Sequence, residues 1–82
     1  MSTNEASIHQ SIDALVNEEH ELWTDGESGR LDAAGRERLK EIGVQLDRFY
    51  DLLHQRQALR DAGADPERAK MRSAKTVEGY VE

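Results

Sequence analysis

Hydrophobic positions recur at helical spacing in two long runs. In the first, Ile8, Ile12, Leu15 and Leu22 follow a 4-3-7 spacing, the seam of an amphipathic helix, and Glu19 occupies the one seam position that is not apolar. Val16 and Trp23 widen the stripe on one side. Asn4 and Ser7 are candidate N-caps, and Ser7 with Gln10 has the spacing of a capping box. The first helix is therefore predicted from about residue 5 to about residue 24, with Thr24-Asp25-Gly26-Glu27-Ser28-Gly29 as its stop. The second run begins after Asp32, a candidate N-cap, and places Leu39, Ile42, Leu46, Phe49 and Leu53 at alternating spacings of 3 and 4. It continues through Arg56 and Arg60 to Ala62-Gly63, where glycine suits a left-handed C′ position, giving a helix of about 30 residues and about 45 Å. Leu52 and Leu59 form an additional apolar stripe on it. Asp65-Pro66-Glu67 then restarts a short helix, with cap and proline in favoured places.

A short turn makes the two long helices antiparallel, so residue i of the first faces about residue 57 − i of the second. Leu15 is expected against Ile42, and Ile8 against Phe49. The same register brings Glu19 near Arg38 as a candidate register-fixing pair, and Gly43 is read as room for close helix approach near Val16. Trp23, beside the turn, is read as a plug at one end of the core. Beyond Leu53 the second helix outruns the first and leaves Arg56, Leu59 and Arg60 on an overhang. A two-helix hairpin of this size buries too little apolar surface to stand alone comfortably. The expected fold is thus all-α: an antiparallel hairpin over residues 4–63, then a short third helix and a C-terminal docking or flexible tail over 64–82, with pairing into a homodimeric four-helix bundle.

Composition narrows the picture. The chain has 82 residues, 37% hydrophobic, 34% charged and 5% aromatic, with no cysteine, which excludes multilayered enzymes, disulfide scaffolds and thiolate chemistry. No apolar run approaches the ~20 residues of a membrane span, and no leader pattern opens the chain, so a cytoplasmic protein with no membrane contact is expected. The net charge of −6 is unevenly spread. Residues 1–27 hold seven acidic side chains and no Lys or Arg, whereas Arg56, Arg60, Arg68, Lys70, Arg72 and Lys75 outnumber the acids of residues 54–75. Attraction between these segments, within or between chains, is the simplest reading. Net acidity argues against a nucleic-acid partner.

Catalytic patterns are missing. Gly26-Glu27-Ser28-Gly29 has no preceding strand and no following Lys-Ser or Lys-Thr, so it is a turn and not a phosphate loop. Glu5 with His9, Asp51 with His54, and Glu19 are the nearest to a carboxylate-bridged metal set, but helical phase sends Asp51 and His54 away from the seam. No catalytic residue, cofactor or metal is therefore expected.

The stretch Tyr50-Asp51-Leu52-Leu53-His54-Gln55-Arg56-Gln57-Ala58-Leu59-Arg60-Asp61-Ala62-Gly63-Ala64-Asp65-Pro66, followed later by Val77-Glu78-Gly79-Tyr80, resembles a family of short actinobacterial proteins classed as a domain of unknown function. Leu15-Val16-Asn17-Glu18-Glu19-His20 resembles that family's acidic segment more loosely. The resemblance implies no activity. It carries over onto Leu52, Leu53, Arg56, Ala58, Leu59, Arg60, Gly63, Asp65, Pro66, Arg72 and the Val77–Tyr80 tail, and departs at His54, where the family tends to have a basic residue. The expected function is that of a small, non-enzymatic, self-associating interaction protein. Its candidate surface comprises Leu52, Arg56, Leu59, Arg60, Asp65, Arg72, Glu78 and Tyr80. The alternative is a nucleic-acid or ribosome-associated factor using the basic C-terminal stripe.

Overall fold

The computed structural model describes residues 5–78. They form two long helices, α1 (Glu5–Glu27) and α2 (Ala33–Asp61), then a single 3-10 turn (Pro66–Arg68) and a short helix α3 (Ala74–Glu78), with no strand among the described residues. Asp32 caps α2 as expected, its carboxylate accepting the Gly35 amide at 2.8 Å. Both long helices end on the same device. Gly29 (φ 75°) and Gly63 (φ 74°) adopt the left-handed conformation that costs glycine little. Around each, the amide of the residue after the glycine turns back five positions, Arg30 N to Asp25 O at 2.9 Å and Ala64 N to Leu59 O at 2.8 Å.

This device explains why α1 runs to Glu27 and not to about residue 24. Gly26 stays helical, beside Leu31, and the glycine that ends the helix is Gly29, where a positive φ is needed. Asp65-Pro66 does not start an α-helix. Asp65 accepts the Glu67 amide at 3.0 Å and supports one 3-10 turn only, and the short α-helix begins later, at Ala74.

The two seams meet as an antiparallel hairpin with a core of Ile8, Ile12, Ile42, Leu46 and Leu52, flanked by half-buried Leu15, Leu22, Phe49 and Leu53. Ile8 and Ile42 are wholly enclosed. Contrary to the sequence reading, α2 has no bare overhang. After Gly63 the chain doubles back along α2: Pro66 and Glu67 meet Arg56 on the stretch expected to be bare, Ala69 and Met71 pack beside Phe49 and Leu52, and Val77 of α3 is buried farther on. α2 is therefore the spine, contacted by α1, by the 3-10 turn and by α3.

Candidate functional site

Two polar assemblies hold the doubled-back segment. Near the far end of the hairpin, the Arg56 side chain is buried, its Nε 3.7 Å from Glu5 Oε1 and its Nη1 3.6 Å from Glu67 Oε1 and 3.4 Å from the Pro66 carbonyl. Arg60, one turn on, donates to the same Glu5 carboxylate. A planar guanidinium with several fixed donors suits such a junction, because it can serve the first turn of α1 and the 3-10 turn at once. Farther along α2, Gln55 uses both ends of its amide on Lys70: Nε2 donates to the Lys70 carbonyl at 2.8 Å and Oε1 accepts the Lys70 amide at 3.3 Å. Asp51 accepts from Gln55 at 2.8 Å and pairs with Arg72 at 3.5 Å, while Arg48 Nε donates to the Arg72 carbonyl at 2.9 Å.

The predicted interaction residues are thus redistributed. Leu52 and Arg56 lie inside the fold, Leu59 and Arg72 are half-buried, Arg60 is tied to Glu5, and Asp65 caps the 3-10 turn. Glu78 ends α3, and Tyr80 lies outside the described residues. Of the six cations in the basic stripe, Arg56, Arg60 and Arg72 are engaged by carboxylates of the chain itself. Arg48, Asp51 and Gln55 were not singled out as a polar ladder by the sequence, although their 3-4 spacing on one helix face is its only trace.

Three expectations are corrected. Arg38 does not meet Glu19. It pairs with Glu18, Nε to Oε2 at 2.5 Å and Nη2 to Oε1 at 2.8 Å, and also reaches Glu41 at 3.3 Å. Glu18 lies on the flank of α1 that Arg38 approaches, whereas Glu19 falls on the other side of the seam. The two-pronged hydrogen bond holds the Glu18 carboxyl below its ordinary value and the guanidinium above its own, outweighing desolvation in both cases. Second, a Cβ on Gly43 would meet nothing within 4 Å, so no close approach to α1 requires the glycine. Third, Trp23 does not plug the core: it is 58% exposed, and Leu22, one position back, turns inward instead.

Trp23 belongs to a pattern. The large hydrophobic side chains that stand exposed among the described residues are Val16 (40%), Trp23 and Tyr50 (43%). Val16 and Trp23 are seven residues apart on α1, one and three turns beyond Ile12 on the same side of the seam. On α2, Gly43 and Tyr50 interleave with Leu39, Leu46 and Leu53 of the seam at a 4-3-4-3 spacing and widen it on one side. Helical phase puts both sets on the same broad side of the hairpin. Ala69 to Met71 cover the opposite side, where Ser7, Ile8, Ser11, Phe49 and Leu52 share a depression of about 450 Å³ with them. Lys70 also lines that depression, beside the Ser7 and Ser11 hydroxyls. Among the described residues no three His, Cys, Asp or Glu side chains converge, Glu5 being committed to Arg56 and Arg60 and His9 and His54 standing exposed. No helix among them is long and apolar enough to cross a membrane.

A family described as protein of unknown function (DUF2630) matches residues 4–82. The chain belongs to the DUF2630 family. An uncharacterized protein of Mycobacterium bovis and uncharacterized proteins of two Mycobacterium tuberculosis strains are similar to it, each 42% identical over 68 residues that cover 82% of this chain and 78% of the relative. No solved structure matches. The family is therefore actinobacterial in these relatives, as the resemblance implied. The residues on which that resemblance rests now have physical roles: Leu52 and Arg56 are buried under the doubled-back segment, Gly63 makes the turn, and Asp65 and Pro66 shape the 3-10 turn.

Proposed function

We propose that the protein is a cytoplasmic, non-enzymatic helical interaction protein that works as a homodimer, two hairpins completing a four-helix bundle. The observation that carries this reading is the hairpin's asymmetry. One broad side is covered by the chain's own C-terminal segment, and the other presents Val16, Trp23 and Tyr50 to solvent. Apolar side chains grouped on one face mark an association surface more often than a solvated one. The shape agrees: the chain measures 50 × 28 × 20 Å and exposes 5855 Å², where a compact chain of 9.3 kDa exposes about 5,000 Å².

Sedimentation equilibrium over a wide concentration range tests the proposal. A mass of twice 9.3 kDa, falling to 9.3 kDa in Trp23→Glu with helicity retained, is the expected result. A monomer at every concentration would reject it.

A further inference from the structure

Resting on the homodimer proposed above, we infer that the two hairpins stack with their turns at the same end, so that α1 of each copy lies on α2 of the other. Two helical hairpins meeting through these faces have two symmetric choices. With turns at opposite ends, α1 lies on α1 and α2 on α2. With turns at the same end, each α1 lies on the other copy's α2. Charge separates the choices. α1 carries Glu5, Asp13, Glu18, Glu19, Glu21, Asp25 and Glu27 and no Lys or Arg. Laying α1 on α1 brings two such helices together, and like charges across an interface are strongly disfavoured.

Laying α1 on α2 does the reverse. The acid-dense end of α1, residues 18–27, comes over the start of α2, where Arg36, seven residues before Gly43, stands on the same side of the helix as Gly43 and Tyr50. Glu19 and Glu27 make no ion pair within the described residues, so their charges stay available to a second copy. The α2 residue that comes over Val16 in this register is Gly43, whose missing side chain opens onto empty space in the single chain. A glycine that meets no atom of its own chain leaves room at that point for the approach of another helix. The face is also large enough. An α1 of 23 residues is about 35 Å long and two helix axes with their side chains span about 20 Å, giving ~700 Å², close to the ~800 Å² per partner of a standard interface.

The absence of cysteine makes the test clean. Val16→Cys and Gly43→Cys are made separately in the full chain, checked for helicity and mass under reducing conditions, then oxidised singly and as a mixture. The expected result is a dimer in which the mixture gives a cross-linked species and neither variant cross-links alone. Self-linking of Val16→Cys would place α1 on α1 and overturn the inference while leaving self-association intact. A dimer with no cross-link in any sample would overturn the assigned face. A monomer throughout would instead reject the homodimer on which the inference rests. Trp23→Cys mixed with Arg36→Cys, each seven residues from the first pair, is a second pair in the same register for the case in which Gly43→Cys disturbs association, and the same outcomes apply to it.

Discussion

Gly43 is the position where a small perturbation is most informative. It sits inside α2, where glycine costs about 1 kcal/mol relative to alanine because the unfolded chain loses more backbone freedom. The added Cβ of Gly43→Ala meets no atom within 4 Å of its own chain, so nothing in the fold opposes the gain. In a dilute sample, where single chains dominate, Gly43→Ala is expected to stabilise by about 1 kcal/mol, which for a domain of this size raises Tm by about 4–8 °C. In a concentrated sample the gain shrinks or reverses, because the methyl group then stands between packed helices. Gly43→Lys sharpens the contrast, since lysine is nearly as good a helix former but brings a charge into the apolar face. Thermal unfolding followed by circular dichroism at two widely separated concentrations reads both effects. Destabilisation of the dilute sample would refute the reading of Gly43 as an open helical position. An equal gain at both concentrations would refute its place in an association face.

Arg56→Ala removes a buried side chain that spans two carboxylates and opens a cavity beneath the 3-10 turn, so urea unfolding should show a loss of about 2–3 kcal/mol; Arg56→Met, which keeps the volume and leaves only the half-exposed Glu5 and Glu67 without it, should stay within about 1 kcal/mol of the native chain. Equal losses in the two would show that charge and not packing is what Arg56 supplies. Glu18 has a folded-state pKa depressed below 4.5, so its contribution is present above that pH and is lost as the carboxyl protonates on acidification. The Tm gap between the native chain and Glu18→Gln should accordingly be open at pH 7 and close below pH 4.5, and a gap that widens in acid would contradict the assignment. Gln55→Ala strips the Lys70 amide and carbonyl of their side-chain partner, worth about 1 kcal/mol, so tryptic cleavage after Lys70 and Arg72 should quicken about fivefold. Unchanged cleavage would mean that Gln55 does not hold the segment.

What could be read from the sequence followed from periodicity and capping. Ile8, Ile12, Ile42 and Leu46 were recognisable as a two-helix core because their spacing matches the helical repeat, and Asp32 and Gly63 mark their boundaries by side-chain and backbone chemistry that acts within a few residues. The doubled-back segment was not legible. Its anchors are side chain to backbone, as between Gln55 and Lys70, and such contacts leave no repeat along the chain. Arg56 was therefore assigned to an exposed overhang, since nothing near it in sequence announces Glu67 as a partner. The exchange of Glu19 for Glu18 is a matter of one helical step, about 100°, which a register estimate good to one or two residues does not resolve.

The junction at Arg56 makes the chain's two ends depend on each other. Glu5 opens α1 and Glu67 lies in the 3-10 turn, and a single guanidinium touches both. The hairpin and the C-terminal segment are consequently coupled at this point, with a strength bounded by the about 1 kcal/mol that the paired charges are expected to contribute. Fraying the first turn of α1 withdraws a carboxylate from Arg56, and unzipping the C-terminal segment withdraws the other, so opening at either end lowers the barrier to opening at the opposite one. Truncation at either end should thus be felt some sixty residues away along the chain, through a contact only one side chain wide.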